Sequence, residues 1–399
     1  MGPTPAAHLE TAPRTIHNGG MLRQKILNGS TSDAWISICK ATDEHWVVDA
    51  VTTFSTYPVE RRYLWPPVKG NHNGNETHAN WVVVQAGKRL VEVARQRPRL
   101  CPRSQVYNPF DGSCRPQLPI FSLFPRAVGR KLDRADATRI VRDWHGNIRP
   151  WSWDCEPNTY SHAYMDTNPQ RMLQCMGPTF WPEDVVAAPV MEEEYFEWGH
   201  ALMAVASAEP GGTFVVVEVG ARYAPWAMRA VRAAEVLGRS SHFHAIAVEP
   251  DKKHVGWIHD HFKMNGMDPA GGKHTLKVVQ GGFCERIHPG HNYANCIASI
   301  LEGVDHVDFL DIDAQGAEEF MLRKPADRAA FRRKVRRTHI ETHTDNIWKE
   351  VADGLLELGF LIVQNTTWMY TGYNSSTYGP NWWRGGGLYA INAALGVPC

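Results

Sequence analysis

From Met191 onward, apolar and polar positions fall into blocks that switch between helical and strand-like periods. Residues 193–206 suit a helix, closed by Pro210-Gly211-Gly212. The β-branched run Thr213–Val219 predicts a buried strand, and Ala224–Leu237 a helix with Met228, Val231 and Leu237 apolar. His244–Val248 predicts a second strand. The helix expected at Lys252–Met264 aligns Val255, Ile258 and Phe262, and a third strand at Thr275–Gln280 stops at Gly281-Gly282. The fourth strand ends at Asp313 and the fifth spans Arg337–Thr342. A helix at Ile347–Leu358 leads to strands at Phe360–Gln364 and Gly387–Asn392. Strands alternating with helices predict an α/β, Rossmann-like fold with a mostly parallel sheet and right-handed crossovers. No helical pattern separates the last two strands, which predicts a C-terminal antiparallel hairpin at the sheet edge.

The first half reads differently. Residues 1–30 are rich in Gly, Pro, Thr and Asn without periodicity, and predict disorder. Across 31–185, short apolar runs at 46–51 and 81–85 alternate with turn clusters such as Pro66-Pro67 and Pro109-Phe110-Asp111-Gly112. One amphipathic helix is expected over Ala79–Arg95. No motif here carries recognisable chemistry, so 31–185 read as an irregular N-terminal cap on a domain spanning 190–397.

Composition narrows the class. Lys plus Arg equals Asp plus Glu at 42 each, so no global charge favours nucleic acid or an anionic membrane. The basic segment Arg323–Arg337 reads as a solvated helix face. No apolar run approaches the roughly 18 residues needed to span a bilayer. The N-terminus lacks a secretory signal pattern, and a soluble cytoplasmic protein is expected. The sequons at Asn28 and Asn75, and eight cysteines of which five precede residue 180, support a secreted, disulfide-bonded alternative if the natural N-terminus lies upstream. Without C-x-x-C pairs, a structural zinc site is not expected.

The chemistry concentrates at strand ends. Val307–Ile312 runs into Asp313-Ala314-Gln315-Gly316, delivering Asp311 and Asp313 at a carboxyl end. Ligands of parallel sheets bind outside such ends. Glu218, Gly220 and Ala221 close the first strand, and Glu249-Pro250-Asp251 closes the second, where a carboxylate can hold both hydroxyls of a ribose. The loop Gly220-Ala221-Arg222-Tyr223-Ala224-Pro225 has a single glycine rather than G-x-G-x-x-G, which disfavours a dinucleotide. An acid on the first strand end would repel phosphates and suit a cationic ligand. S-adenosylmethionine, a ribose-bearing sulfonium without phosphate, meets that description.

Residues 191–395 resemble the FkbM family of S-adenosylmethionine-dependent methyltransferases. The family's D-V-G-A-N-x-G appears as Glu218-Val219-Gly220-Ala221-Arg222-Tyr223-Ala224, and its E-P-D as Glu249-Pro250-Asp251. Its L-x-x-N-G is similar to Phe262-Lys263-Met264-Asn265-Gly266, its D-L-L-K-I-D-V-E-G-A-E to Asp308–Glu318, and its E-x-H to Glu341-Thr342-His343. The resemblance implies a class I methyltransferase domain and S-adenosylmethionine as cofactor. Its expected binding residues are Glu218, Gly220, Ala221, Arg222, Glu249, Pro250, Gly282, Phe283 and Asp313, with Phe283 stacking on adenine or filling the core. The chain departs from the pattern at Arg222 and Ala224, where the family has Asn and Gly. Loss of the glycine is expected to narrow the space for the methionine tail, and Arg222 to pair with its carboxylate. Asp311 stands for a Lys and Gln315 for a Glu.

Methyl transfer is an in-line displacement, and a hydroxyl acceptor must lose its proton as it attacks. The candidates are His343 as general base, Asp313 as its partner or acceptor-holder, and Asp311 and Glu341, with His339 on the same strand face. A divalent metal on Asp313, Glu341 and His343 is an alternative that no spacing compels, and no metal is assigned. The leading expectation is O-methylation of a sugar, glycolipid or other natural product, with no nucleic-acid partner. The alternative is a degenerate methyltransferase fold serving as a binding or scaffold module.

Overall fold

The computed structural model describes residues 33–41, 46–56, 105–108, 113–124, 140–153, 193–267, 272–284, 295–365, 371–375, 379–383 and 386–397. The expected disorder at 1–30 and helix at Ala79–Arg95 lie outside the described residues. The strands are β1 (Asp33–Ala41), β2 (Trp46–Thr56), β3 (Gln105–Asn108), β4 (Ser113–Pro116), β5 (Ile140–Arg142), β6 (Ile148–Pro150), β7 (Thr213–Val219) and β8 (His242–Glu249). They continue with β9 (His274–Gln280), β10 (Phe309–Ile312), β11 (Arg337–Thr342), β12 (Phe360–Asn365), β13 (Thr371–Ser375), β14 (Gly379–Trp383) and β15 (Gly386–Asn392). The α-helices are α1 (Glu193–Ser207), α2 (Pro225–Leu237), α3 (Lys252–Met264), α4 (Ile297–Ile300), α5 (Pro325–Lys334) and α6 (Asp345–Glu357).

Eleven strands form one sheet in the order β14-β13-β2-β1-β12-β15-β11-β10-β7-β8-β9. Neighbours from β11 through β9 pair in parallel, whereas β15 runs antiparallel to both β11 and β12. The expected antiparallel pairing of the last two strands is present, but not at an edge. β15 is inserted between β11 and β12, and β1 pairs with the far side of β12. An open strand edge is a pairing surface, and here N-terminal residues occupy it. The hairpin β13–β14 is inserted between β12 and β15 in the chain and joins the sheet next to β2.

Alternation on the central strands sorts side chains to two cores. Phe214, Val216, Phe243, Ala245 and Phe309 pack with α1, α2 and α3. Val215, Val217, Ile246, Leu310, Ile312 and Ile340 pack with α4, α5 and α6. On α3, Ile258 and Phe262 are buried as expected, whereas Val255 is only partly so.

The amino ends of the strands are held by a buried acid. Asp308 accepts hydrogen bonds from the Val215 N–H (2.8 Å) and Arg336 Nη1 (2.8 Å), with His306 Nε2 at 3.1 Å. Its carboxylate therefore ties β7, β10 and the lead into β11 at one point. Replacing it by alanine leaves the Val215 N–H and the Arg336 guanidinium without this partner. Asp308→Ala is expected to cost about 2–4 kcal/mol in urea unfolding; a loss below about 1 kcal/mol would show that the pair contributes only as a surface bridge does.

Candidate active site

The sheet order reverses beside β7, which has β8 on one side and β10 on the other, and the crevice at the carboxyl ends opens there. Gly220 continues β7 with φ +79°, and a Cβ on it would stand 1.8 Å from the Asp313 carbonyl oxygen. Only glycine lets these two chains cross so closely. The Gly220 and Ala221 N–H groups donate to the Val248 carbonyl at 3.0 and 3.1 Å, pinning the loop to the end of β8. Arg222 (φ 51°) and Ala224 (φ 56°) both adopt the left-handed conformation. The Asn and Gly of the FkbM pattern are the residue types that accept this conformation most readily. Arg and Ala adopt it less readily, so the loop holds local strain. Ala224 is fully buried and packs in the core on the α1 side.

Glu249 ends β8 and is 5 % exposed. Its carboxylate accepts from the Arg222 N–H (2.7 Å) and the Asp251 N–H (2.9 Å), with His254 Nδ1 at 3.4 Å. It is thus fixed beside the glycine loop. Asp251 caps α3 by accepting from the Lys253 and His254 N–H groups, and Pro250 is exposed. Glu218 turns away from the crevice: its carboxyl accepts from the Ala227 N–H at 2.6 Å and caps α2. Burial, reinforced by Asp311, pushes its pKa well above the usual carboxylate range. Phe283 is buried in the core on the α4 side, behind Gly282. Cys284, next in the chain, is disulfide-bonded to Cys296, tying the end of β9 to the start of α4.

Across the crevice, His343 lies between two acids. Its Nε2 is 3.3 Å from Asp313 Oδ1 and its Nδ1 is 3.3 Å from Glu318 Oε1. Glu318 is fully buried and accepts from the Ala314 (2.6 Å) and Gly316 (2.8 Å) N–H groups. Burial lowers the His343 pKa, but hydrogen bonding and charge from Asp313 and Glu318 outweigh it and raise the value to about 11. An imidazole that already holds its proton at neutral pH cannot take another. The geometry sets His343 between Asp313 and Glu318, and the raised value runs against the role of general base expected of it. Sequence reading missed Glu318, although the acidic residue follows Gly316 in the motif.

Asp311, His339 and Glu341 do not converge with these groups. Asp311 is 1 % exposed and lies under α1, where its Oδ1 is 2.6 Å from His339 Nδ1. Glu341 is partly exposed on the same strand face. The Arg222 guanidinium donates to the Trp153 carbonyl and so is turned toward the N-terminal region. Trp153 in turn stacks on Trp257 (5.4 Å) and leans on Tyr223 (5.6 Å) and His261 (5.8 Å). The β5–β6 hairpin that carries it is docked on Asn265, which accepts from the Ile148 N–H (2.7 Å) and donates to its carbonyl (2.9 Å). No motif in 31–185 revealed this contact.

The donor set fits a ribose-bearing cation: an anchored carboxylate at the second strand end, a close glycine crossing, and a second acid, Asp313, opposite. No family model and no curated protein matches the chain. Solved structures similar to it include methyltransferase FkbM from Methylobacillus flagellatus KT (14% identity, 65% of this chain, 57% of that one, TM-score 0.33). They also include precorrin-6y C5,15-methyltransferase from Geobacter metallireducens GS-15 (15%, 48%, 85%, 0.28) and an O-methyltransferase from Bacillus cereus in complex with SAH (12%, 51%, 83%, 0.30). At these scores the likeness carries no argument about chemistry. The strand order β9-β8-β7-β10-β11-β15-β12, with β15 alone reversed, does define the class: the fold is the Rossmann-like one of class I methyltransferases.

The His343 shift has a definite sign. Its folded-state value of about 11 lies above the ordinary 6.5, so its ion pairs stabilise the fold fully below about pH 6.5 and progressively less as pH climbs toward 11. The stability gap between the wild type and His343→Gln should therefore narrow steadily across that range in urea titrations at stepped pH. A gap that stays constant would rule out the protonated pair.

Proposed function

We propose that the chain is an S-adenosylmethionine-dependent methyltransferase of the FkbM type that methylates a hydroxyl on a sugar, glycolipid or other small natural product. The observation that carries this reading is the Glu249 carboxylate, held by the Arg222 and Asp251 N–H groups (2.7 and 2.9 Å) beside the Gly220 crossing at the switch point. Glu249 would hold the ribose hydroxyls, the backbone of Gly220 and Ala221 would line the methionine side, and Gly282 would border the adenine. The bound cofactor supplies an electrophilic methyl on a sulfonium. Asp313 accepts the hydrogen bond of the acceptor hydroxyl and takes its proton as the oxygen is methylated. His343, set between Asp313 and buried Glu318 at 3.3 Å from each, holds the Asp313 carboxylate in place. Among the described residues no helix is long and apolar enough to cross a membrane. The Cys284–Cys296 bond and the disulfide-bonded Cys114 favour an oxidising compartment over the cytoplasm.

Calorimetry with S-adenosylmethionine tests the cofactor assignment. The wild type should bind, and Glu249→Ala should bind at least about tenfold more weakly, the loss of a charge-assisted hydrogen-bonding group. Asp313→Asn should bind the cofactor but lose most methyl transfer across a panel of sugars, lipids and phenols. Absence of binding by the folded wild type would leave the scaffold reading in its place.

A further inference from the structure

A row of polar side chains crosses the sheet beneath α1. In register on neighbouring strands stand Glu218, Asp311, His339, Tyr389 and Gln364, from β7, β10, β11, β15 and β12. All five are buried. Helix α1 lays two polar residues one turn apart over this row. Glu197 reaches His339, and the His200 ring stacks on Tyr389 at 3.8 Å while its Nε2 lies 2.9 Å from Gln364 Oε1.

At the centre of the row, three ligating atoms converge. Asp311 Oδ1 lies 2.6 Å and Glu197 Oε1 3.0 Å from the same nitrogen, His339 Nδ1. The three lie within 4.8 Å of one another. That nitrogen carries at most one hydrogen, which cannot serve two carboxylates well. Atoms bound to one first-row ion at about 2.0–2.2 Å stand roughly 3–3.5 Å apart, so small outward shifts would seat an ion at the triangle's centre. The His339 ring is already oriented, stacked on Tyr389 at 4.4 Å with 18° between planes. The Asp313–Glu318–His343 group differs in kind, because its two acids approach opposite ring nitrogens. Their ligating atoms also lie within 4.8 Å of one another, but no single nitrogen is shared by both acids.

We propose that Glu197, Asp311 and His339 form a binding site for a divalent transition metal, one strand step below the crevice. One imidazole and two carboxylates suit manganese, iron or zinc. The ion would cross-link α1 to β10 and β11, and thereby set the floor under Asp313. This site stands whether or not the crevice binds S-adenosylmethionine.

The test uses the full chain, stripped with chelator and titrated with manganese(II) under electron paramagnetic resonance, with metal content measured on the protein as purified. The expected result is a single ion per chain and a higher melting temperature with metal. The conservative variants Glu197→Gln, Asp311→Asn and His339→Gln, each checked for native circular dichroism, should bind at least about tenfold more weakly and lose the thermal shift. Asp313→Asn and His343→Gln should bind as the wild type does. The site is overturned if the wild type binds neither manganese nor zinc, or if the first three variants bind unchanged. It is equally overturned if the ion is lost from the Asp313 and His343 variants instead, or if infrared spectroscopy finds a carboxylic acid proton shared by Glu197 and Asp311 that metal does not displace. Calorimetry with S-adenosylmethionine, run on the same samples, separates failure here from failure of the cofactor reading.

Discussion

The crossing of two backbones at Gly220 and Asp313 constrains everything around the crevice. With no room for a Cβ on Gly220, the loop after β7 lies directly against the end of β10. That contact fixes where Asp313 leaves its strand, and so where His343 and Glu318 must stand to reach it. It also brings the loop close enough to β8 for Val248 to accept two N–H groups and for Glu249 to accept a third. The position of each strand-end acid is thus a consequence of one close approach rather than of independent placements.

A second constraint lies below it. Burying several ionisable side chains on one sheet face is costly unless each finds partners. The row from Glu218 to Gln364 meets that demand laterally, strand to strand, and vertically through α1. His200 shows the price of the location, since burial drives its pKa down to about 3 and leaves the ring neutral. Such a network specifies register, because sliding any strand by one residue would turn its polar member into the opposite apolar core.

The strands and helices after Met191 were legible because their apolar periods are strong, and the expected boundaries of β7, α3 and β11 coincide with those observed. The strand-end acids were legible as positions but not as directions. Asp311 and Asp313 share one side of β10 by alternation, yet a two-residue step carries Asp311 under α1 while Asp313 reaches the crevice. Glu218 similarly turns to the α2 amino terminus, which a short strand-to-helix loop brings within reach of the strand end. His343 was read from the ordinary pKa of its type, and the spatial neighbours Asp313 and Glu318, which raise it, leave no local trace in the sequence. The edge position of β12 was misjudged because the pairing strand, β1, comes from more than 300 residues earlier, and no local pattern records such a partner.

The N-terminal region gains a role from the same physics. Left-handed Arg222 and Ala224 make the glycine loop costly to hold, so other contacts must hold it. Three do: the Arg222 N–H bonds to Glu249, its guanidinium donates to the Trp153 carbonyl, and the Tyr223 carbonyl accepts from His261 Nδ1 at 2.8 Å. The last requires a proton on that ring nitrogen, and burial, which lowers the His261 pKa to about 4, keeps the ring neutral. Trp153 closes over all of this against Trp257 and Tyr223, and it is brought there by a hairpin clamped to Asn265. Asn265 stands in the motif at the end of α3, and its side chain bonds Ile148 and the His261 carbonyl. Residues 140–153 therefore pack directly on the loop beside the crevice, where they hold Arg222 and flank Tyr223.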